Sequence, residues 1–473
     1  MRTKTKKTPL SLLSFANLFS IAQSAVPVQH EPISKMGSSN TVMANITQSE
    51  LPKRHRASTR SAKVSDVKHV ASYTWWDKAE PTISVPGSPR WWFPPGEDIV
   101  LEPDSGTLYL DENAARHPKF PLEPLFRAAL IEDPTFSSIR NADLVTDEIT
   151  LGKLLGFVRG SLAHFKFRVE VAVGEDGDGE TTATTLFTRE ERKATVPLFS
   201  QGYGQNFKEI YTKKPGPGVC GYHRVMGYNF SGLRCVVGYE TDAYFPEGYE
   251  MDAYIPEHSE RTLLPDDDEQ ADDEEELSLV AAGTDSEKTS SGLVVVRLLA
   301  TKTTPVSPDS LLMIKACSRT RQPDEQDMLA QLWASRTPNL AVGAHRGGCF
   351  SAADVEFYDM AERLPQWEEE HEEDLGKLAS LLIEIIAVVK GTKHGRAVVR
   401  YFGGWSMQIV DGGDKAKPAL PKDLYIQLGK KVRGVADMKV KLEVNVVDVG
   451  SEWSMSMSMD TQESWDMDAQ LNS

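Results

Sequence analysis

The sequence predicts a mixed α/β (α+β) fold in which a central mixed β-sheet is flanked by helices. Strict alternation of apolar and polar residues over 164–173, HFKFRVEVAV, is typical of a half-buried strand. Apolar residues recur with helical spacing over 375–390, which predicts an amphipathic helix. The chain has 473 residues, 40% of them hydrophobic, so it is long enough to bury a substantial core.

The other elements follow from the same two periods and from turn residues. Two Pro-Gly pairs bracket an aromatic strand or loop, RWWF, at 90–93. A Gly- and Asp-rich turn at 175–180 predicts a hairpin between two strands. Helices are predicted at 124–130, 151–158 and 324–335, and strands at 184–188, 235–239, 293–299 and 339–343.

Composition divides the chain into one nuclease-like domain with an insertion and two tails. The acidic run Asp266–Glu276 repels itself and cannot pack, which predicts disorder. The N-terminal part mixes Ser, Thr, Lys, Arg and Pro without periodicity. We therefore expect a disordered or targeting segment at 1–70, the first part of the domain at 71–245, an acidic disordered insertion at 246–290, the second part at 291–449 and a disordered tail at 450–473.

Charge and cysteine content limit the partners and the compartment. A net charge of −17 disfavours diffuse binding to nucleic acid, so any RNA contact must be a local groove. No apolar run long enough to span a membrane follows the N-terminus, and the four cysteines form no CxxC pair. We expect no membrane contact and a nuclear or cytoplasmic protein. The basic, moderately apolar first 25 residues leave a signal peptide, a mitochondrial presequence or an unstructured extension open, and the oligomeric state is not indicated.

The candidate site follows an apolar strand at Cys235–Tyr239, which leads to Glu240 and Asp242. Side chains in a strand alternate between faces, so both carboxylates leave the same face and can share a divalent ion. We therefore expect a metal edge with Glu240 and Asp242 as ligands. The alternative is a carboxylate pair that forms a salt bridge with Lys208 or Lys302.

Taken in order, these segments resemble the metal-dependent nucleases that use a carboxylate cluster and an E-x-K pair, and within them the DXO-like decapping exonucleases. Members of that family remove incomplete caps from RNA 5′ ends and degrade the RNA with a divalent metal. The chain also resembles divergent fungal proteins related to that branch, some of which carry the inherited label geranylgeranyl pyrophosphate synthetase. The resemblance implies a nuclease-like fold, an RNA 5′ end as partner and Mg²⁺ or Mn²⁺ if the protein is active.

Compared with the family pattern, this chain carries the opposite charge at two positions. The segment NADLVTDEITLGKLL is similar to the family segment containing W-R-G, and Glu148 replaces the arginine that would contact RNA phosphate. GYGQNFKEIYT is similar to the family's aromatic-Gly-x-x-Phe-Glu element, with Lys208 in place of the glutamate and Glu209 one residue later. A slip of one residue turns a side chain by about 100° on a helix and about 180° on a strand, so Glu209 would need a local register shift or bulge to replace the missing acid.

The second carboxylate pair is also altered. Glu240 and Asp242 match the family's E-x-D motif, and VVVRLLATKT is similar to the next family strand. Its expected Glu-x-Lys pair is replaced by Leu298 and Ala300. Phosphodiester hydrolysis on this scaffold needs several carboxylates around one or two divalent ions, and an ammonium at Lys208 would repel them.

These substitutions favour a catalytically silent protein, a pseudoenzyme that binds an RNA 5′ end or a protein partner. The alternative is an active metal-dependent RNA decapping enzyme and 5′–3′ exonuclease whose remnant catalytic set is Glu209, Glu240 and Asp242. A third hypothesis follows the inherited label, an all-helical prenyl diphosphate synthase. It is disfavoured because the dense aspartates lack DDxxD spacing and because several strands are predicted.

Overall fold

The structure is a computed structural model. It describes residues 41–51, 62–175, 181–190, 193–199, 202–246, 249, 285–298, 306–320, 325–413 and 416–429. These residues belong to one structural unit, 1–432. The acidic run at 266–276 and the tail at 450–473, both predicted to be disordered, lie outside the described residues.

The strands of the described residues are numbered here in chain order. They are β1 (Val42–Thr47), β2 (Val64–Trp76), β3 (Thr82–Val85), β4 (Trp91–Trp92), β5 (Ile99–Val100), β6 (Ser105–Tyr109), β7 (Leu144–Asp147), β8 (Phe165–Glu175), β9 (Thr181–Arg189), β10 (Thr195–Phe199), β11 (Thr212–Lys213), β12 (Val219–Phe230), β13 (Leu233–Thr241), β14 (Ala243–Tyr244), β15 (Asp285–Lys288), β16 (Val294–Arg297), β17 (Leu311–Ser318), β18 (Asn339–His345), β19 (Cys349–Phe350), β20 (Val355–Asp359), β21 (Arg396–Tyr401) and β22 (Ser406–Asp411).

The α-helices are numbered in the same way. They are α1 (Glu112–Arg116), α2 (Glu123–Glu132), α3 (Ser137–Arg140), α4 (Glu148–Val158), α5 (Gly204–Tyr211), α6 (Glu325–Ser335), α7 (Arg363–Glu370), α8 (Glu372–Lys390) and α9 (Lys422–Leu428). Short 3₁₀ helices lie at Gln48–Glu50, Pro308–Ser310 and Ala352–Asp354.

A twelve-stranded mixed sheet forms the centre of the fold, in the order β1-β22-β21-β8-β9-β7-β13-β12-β2-β3-β16-β15. Its neighbours β9, β7 and β13 are parallel, whereas β13 and β12 form an antiparallel hairpin. The carboxyl ends of the three parallel strands therefore meet at one edge of the sheet. Ligand sites of open α/β sheets commonly lie at such an edge.

Helices cover both faces of this sheet, because successive residues of its central strands point to opposite faces and both sets are apolar. In the central hairpin, Val225 and Val236 belong to a core cluster that includes residues of α2 and α9. Their neighbours Met226 and Val237 belong to a separate cluster that includes the apolar face of α8. A strand that is apolar on both sides is typical of a sheet packed between two helical layers.

A second, six-stranded sheet has the order β11-β4-β14-β17-β18-β20. The chain passes from the first sheet to the second at Asp242, which lies between β13 and β14. Because β14 pairs with β17, this passage places Asp242 beside a strand that is about 70 residues later in the sequence. Two small ladders, β10 with β6 and β19 with β5, complete the pairing among the described residues.

The predicted fold class is confirmed, and the longest periodic segments are correct. The predicted helix at 375–390 is α8, which begins three residues earlier, and the alternating strand at 164–173 is β8. The predicted hairpin is formed by β8 and β9, which pair antiparallel.

The predicted domain limits need two corrections. Residues 1–70 were expected to be disordered, but β1 and the first part of β2 lie there and pair with β22 and β12. Likewise, β15 lies within the predicted insertion and pairs with β16. The order of β1 and β2 comes from strand partners distant in sequence, and the order of β15 comes from its hairpin partner. Composition reports only the local preference of a segment for a given structure.

The hypothesis of an all-helical prenyl synthase is not supported. Among the described residues, strands of a large central sheet contribute to both main core clusters, and an all-helical fold contains no such sheet. A separate finding concerns membranes: within the described part of the chain, no helix is both long and apolar enough to cross one.

Candidate functional site

Helix α5 sets the geometry of the site through its buried aromatic residue. Phe207 is fully buried and stacks on Phe350, with ring centroids 4.7 Å apart. Its ring also lies directly on Gly343 of β18, where a Cβ would come within 2.3 Å of the Phe207 ring. With Phe207 pointing into the core, the next residue is turned by about 100° around the helix. That residue is Lys208, and it faces the end of β13.

Lys208 contacts both members of the E-x-D pair. Its Nζ lies 2.6 Å from Asp242 Oδ1 and 3.9 Å from Glu240 Oε1. The alternative in which this carboxylate pair forms a salt bridge with Lys208 therefore describes the arrangement that is present. Lys302, the other partner considered, lies outside the described residues.

Asp242 is held on its second oxygen as well. The backbone N–H of Ile314 in β17 donates to Asp242 Oδ2 at 2.8 Å. The next residue, Lys315, is close enough to influence the charge of Asp242, and its Nζ donates to Gln331 Oε1 at 3.2 Å. Two lysines from different elements thus surround one carboxylate at the junction of the two sheets.

The charges at this junction reinforce one another. Burial opposes ionisation of Asp242, but Lys208, Lys315 and the Ile314 N–H outweigh it and lower the Asp242 pKa. Burial also opposes the charge on Lys208, yet Asp242 and Glu240 raise the Lys208 pKa. Burial lowers the pKa of Lys315, with Asp242 acting in the opposite direction. Lys208 and Asp242 therefore form a fully charged pair near neutral pH.

Glu209 points away from this cluster. Its carboxylate forms ion pairs with Arg90 at 2.6 Å and with Lys214 at 3.2 Å. Burial opposes its ionisation, but the bonds from Arg90 and Lys214 lower the Glu209 pKa. The register shift needed for Glu209 to join Glu240 and Asp242 is not present, because α5 is a regular helix through both positions.

The structure does not bring Leu298 to the cluster, which corrects the placement of the second pair. Leu298 follows β16, and its N–H donates to Val85 O at the end of β3. Four strand spacings, about 19 Å, separate β16 from β13 in the sheet. Ala300 lies outside the described residues. The strand that lies beside Asp242 is β17, so Lys315 is the lysine that reaches the site.

The residues present do not fit a divalent metal. Across the part of the chain that the structure describes, no three Asp, Glu, His or Cys side chains are arranged to hold a metal ion. The two carboxylates of the E-x-D pair already share the Lys208 ammonium. Mg²⁺ and Mn²⁺ favour several oxygen ligands and would have to displace a chain-borne cation.

A polar cavity of about 120 Å³ opens beside Glu240, at the carboxyl ends of the parallel strands. Five carboxylates line it, against one arginine, Arg189, and one histidine, His223. We call it the acidic cavity, and its carboxylates are Asp111, Glu112, Asp147, Glu148 and Glu240.

Local structure explains why the acids of the cavity are held in place. Asp147 ends β7 and caps α4, accepting from the Thr150 N–H at 2.9 Å. Asp111 caps α1, and Arg189 at the end of β9 lies 3.5 Å from Asp111 and 3.7 Å from Asp147. Glu148 is the first residue of α4. Burial raises the pKa of Glu148 to about 8, Asp147 and Glu240 add to the rise, and Arg189 opposes it.

Sequence reasoning missed Lys315 and Arg189. Lys315 is the one basic residue of the otherwise largely apolar strand LLMIKACS, and that isolation was an available signal. Arg189 and Asp147 occupy the ends of neighbouring parallel strands, a relation that becomes visible only when β7 and β9 are paired.

The fold and the site define a mixed α/β protein with a polar cavity at the ends of parallel central strands and a lysine between its paired carboxylates. The chain belongs to the family described as Domain of unknown function (DUF8563), whose model matches residues 42–428. No curated protein matches the sequence.

Several solved structures are similar in overall fold. S. pombe Rai1 in complex with 3'-FADP has 11% identity and a TM-score of 0.45, covering 78% of this chain and 98% of that one. Scheffersomyces stipitis Rai1 in complex with (3'-NADP)+ and calcium ion has 10% identity and a TM-score of 0.45, covering 83% and 98%. K. lactis Dxo1 in complex with manganese has 7% identity and a TM-score of 0.43, covering 76% and 94%. Similarity at this level says nothing about the site of this protein.

Proposed function

We propose that this protein is a catalytically silent relative of the DXO-like decapping nucleases, which binds its ligand without hydrolysing it. The observation that supports this is the Lys208 ammonium, 2.6 Å from Asp242 and 3.9 Å from Glu240. At an effective dielectric constant of about 20, two unit charges at the shorter distance attract by about 6 kcal/mol before desolvation. The chain itself thus supplies the cation that neutralises these carboxylates.

An RNA 5′ end is the first ligand to test, because the sequence resemblance implies it, and a protein partner is the alternative. Near α5, Arg90 and Lys214 pair with Glu209 and Lys208 pairs with Asp242, so among the described residues there Lys213, exposed on β11, is the basic side chain left to meet a phosphate. A chain of net charge −17 needs such local positive charge for contact with phosphates.

The other function considered, an active decapping exonuclease, requires relocated ligands. Glu209 is the acid that would complete the set, and its ion pairs with Arg90 and Lys214 hold it outside the cluster. Activity would therefore depend on breaking those two ion pairs.

The test is RNA cleavage with binding measured in parallel. The full chain is incubated with 5′-monophosphorylated and incompletely capped RNA in Mn²⁺, while fluorescence anisotropy follows binding and calorimetry follows Mn²⁺. We expect no cleavage and no Mn²⁺ binding. Mn²⁺-dependent cleavage that disappears in Asp242→Ala would overturn the proposal.

A further inference from the structure

We propose that the acidic cavity binds a small organic cation, an alkylammonium or guanidinium group, carried by a polyamine or by a lysine or arginine side chain. This inference rests on the proposed function, because a cavity that served a metal-dependent nuclease would hold divalent ions. Its volume of about 120 Å³ suits a group of this size.

The first reason is that part of the negative charge in the cavity lacks a close cation. Glu112 is neutralised by Arg116 at 2.8 Å and bonded to His223 at 3.1 Å. Among the described residues, Glu148 forms no ion pair within 4.0 Å, and Glu240 has only the 3.9 Å contact with Lys208. Since Lys208 lies closer to Asp242, Glu240 presents its charge to whatever enters the cavity, and Glu148 adds a second charge once it is ionised.

The second reason is a set of unsatisfied hydroxyl groups. Thr146, Thr188 and Tyr239 line the cavity and are almost fully buried. Within the described structure none of their side-chain oxygens has a hydrogen-bond partner. A buried polar atom without a partner is destabilising. These oxygens can accept hydrogen bonds, and an ammonium or guanidinium group offers three to five donors.

An anionic ligand fits this cavity poorly. A phosphate would meet five carboxylates and one arginine, and that arginine already serves Asp111 and Asp147. A neutral ligand could satisfy the hydroxyls but would leave the charge of Glu240 without a close cation. A cationic donor meets both requirements at once.

The ionisation of Glu148 gives the proposal a pH signature. With a pKa of about 8, Glu148 holds a proton at neutral pH. A bound cation favours the carboxylate, so binding releases this proton, and affinity should rise about tenfold between pH 7 and pH 9. The charged and titratable groups that face Glu148 across the cavity are Asp111, Glu112, Asp147, Arg189, His223 and Glu240.

The experiment is calorimetric titration of the full chain with N-acetyl-arginine amide, N-acetyl-lysine amide and spermidine, with N-acetyl-citrulline amide as the neutral control. We expect the cations to bind with dissociation constants below about 1 mM, more tightly as pH rises, and citrulline amide not to bind. Tighter binding of spermidine would assign the site to free polyamines, and tighter binding of the amides to a partner's side chain. Equal binding of arginine and citrulline amides, or no binding of any cation, would overturn the proposal.

Variants locate the site and separate this proposal from the previous one. Glu148→Gln should weaken cation binding at least tenfold and abolish its pH dependence, whereas Glu97→Gln, an exposed acid away from the cavity, should change neither. Thr188→Val provides a second variant that should weaken binding without changing charge. Mn²⁺ that competes with the cations would contradict catalytic silence, while absence of both Mn²⁺ and cation binding would overturn only the present inference.

Discussion

Replacement of Lys208 by methionine tests whether the ammonium holds the junction of the two sheets. The change keeps the length of the side chain and removes a charge 2.6 Å from Asp242, whose side chain is 17% exposed. Removing one partner of a buried ion pair costs about 3–5 kcal/mol. We expect about 3 kcal/mol, because Lys315 and the Ile314 N–H still stabilise the carboxylate.

A double-mutant cycle isolates the pair itself. Asp242→Asn alone leaves Lys208 with the 3.9 Å contact to Glu240 as its one ion pair in the described part of the chain. In Lys208→Met with Asp242→Asn neither member of the pair is left charged without the other, so the loss should be about 2 kcal/mol smaller than the sum of the single losses. Urea unfolding followed by tryptophan fluorescence gives each free energy, and unchanged slopes would show that the unfolded state is the same.

Acid titration adds a directional check. The pKa of Asp242 is lower in the folded protein than its ordinary value of 3.8. Its contribution to stability is therefore complete above that value and is lost as pH falls through the folded-state pKa. The difference between the unchanged protein and Lys208→Met should shrink in the same acid range. A loss of stability below about 1 kcal/mol in the single variants would refute the role given to this pair. The same holds if the two single losses add up to the loss in the double variant within about 0.5 kcal/mol.

Three more outcomes are expected. Lys208→Glu, which places three carboxylates together, should bind Mn²⁺ in calorimetry, and the same protein with Asp242→Ala should not. Absence of Mn²⁺ binding in Lys208→Glu would contradict the view that Lys208 is what excludes the metal. Glu148→Gln should be up to about 3 kcal/mol more stable to urea than the unchanged protein at pH 7 and equal to it near pH 4. The folded pKa of about 8 exceeds the ordinary 4.5, so between these values the unfolded chain releases a proton that the folded protein keeps, and the unchanged protein loses stability as pH rises. A gap independent of pH would refute the raised pKa. Gly343→Ala should lower the free energy of unfolding by about 1–3 kcal/mol because its Cβ would lie 2.3 Å from the Phe207 ring. As a control, Gly152→Ala in α4, where a Cβ has nothing within 4 Å, should not destabilise the protein. Equal effects of the two changes would show that Phe207 does not fix α5 against β18.

The sequence predicted the elements whose signal is local. The apolar period of α8 and the alternation of β8 each extend over several turns or residues, so neighbouring positions report the same structure. The strand leading to Glu240 and Asp242 was recognised for the same reason. The proximity of Lys208 to these two carboxylates depended on α5 being a helix, and the sequence left helix and strand open there.

The parts that escaped prediction depend on pairing across long distances. The neighbour of Asp242 is fixed by β14 pairing with β17, which no window around either strand contains, so the Glu-x-Lys pair was sought on β16 instead. The strand β1 was assigned to a disordered segment because its order comes from β22, at the other end of the domain. The cavity depends on three parallel strands being neighbours, which is again a property of the sheet and not of any single segment.

The lysine between the two carboxylates is attached to the polypeptide, whereas an ion arrives from solution. A tethered charge is present at the same stoichiometry in every molecule, so its occupancy does not vary with the concentration of free cations or with chelators. The charge balance of this junction consequently does not depend on the concentration of free divalent cations. A chelator that unfolds a protein built around a captured ion should leave this junction unchanged.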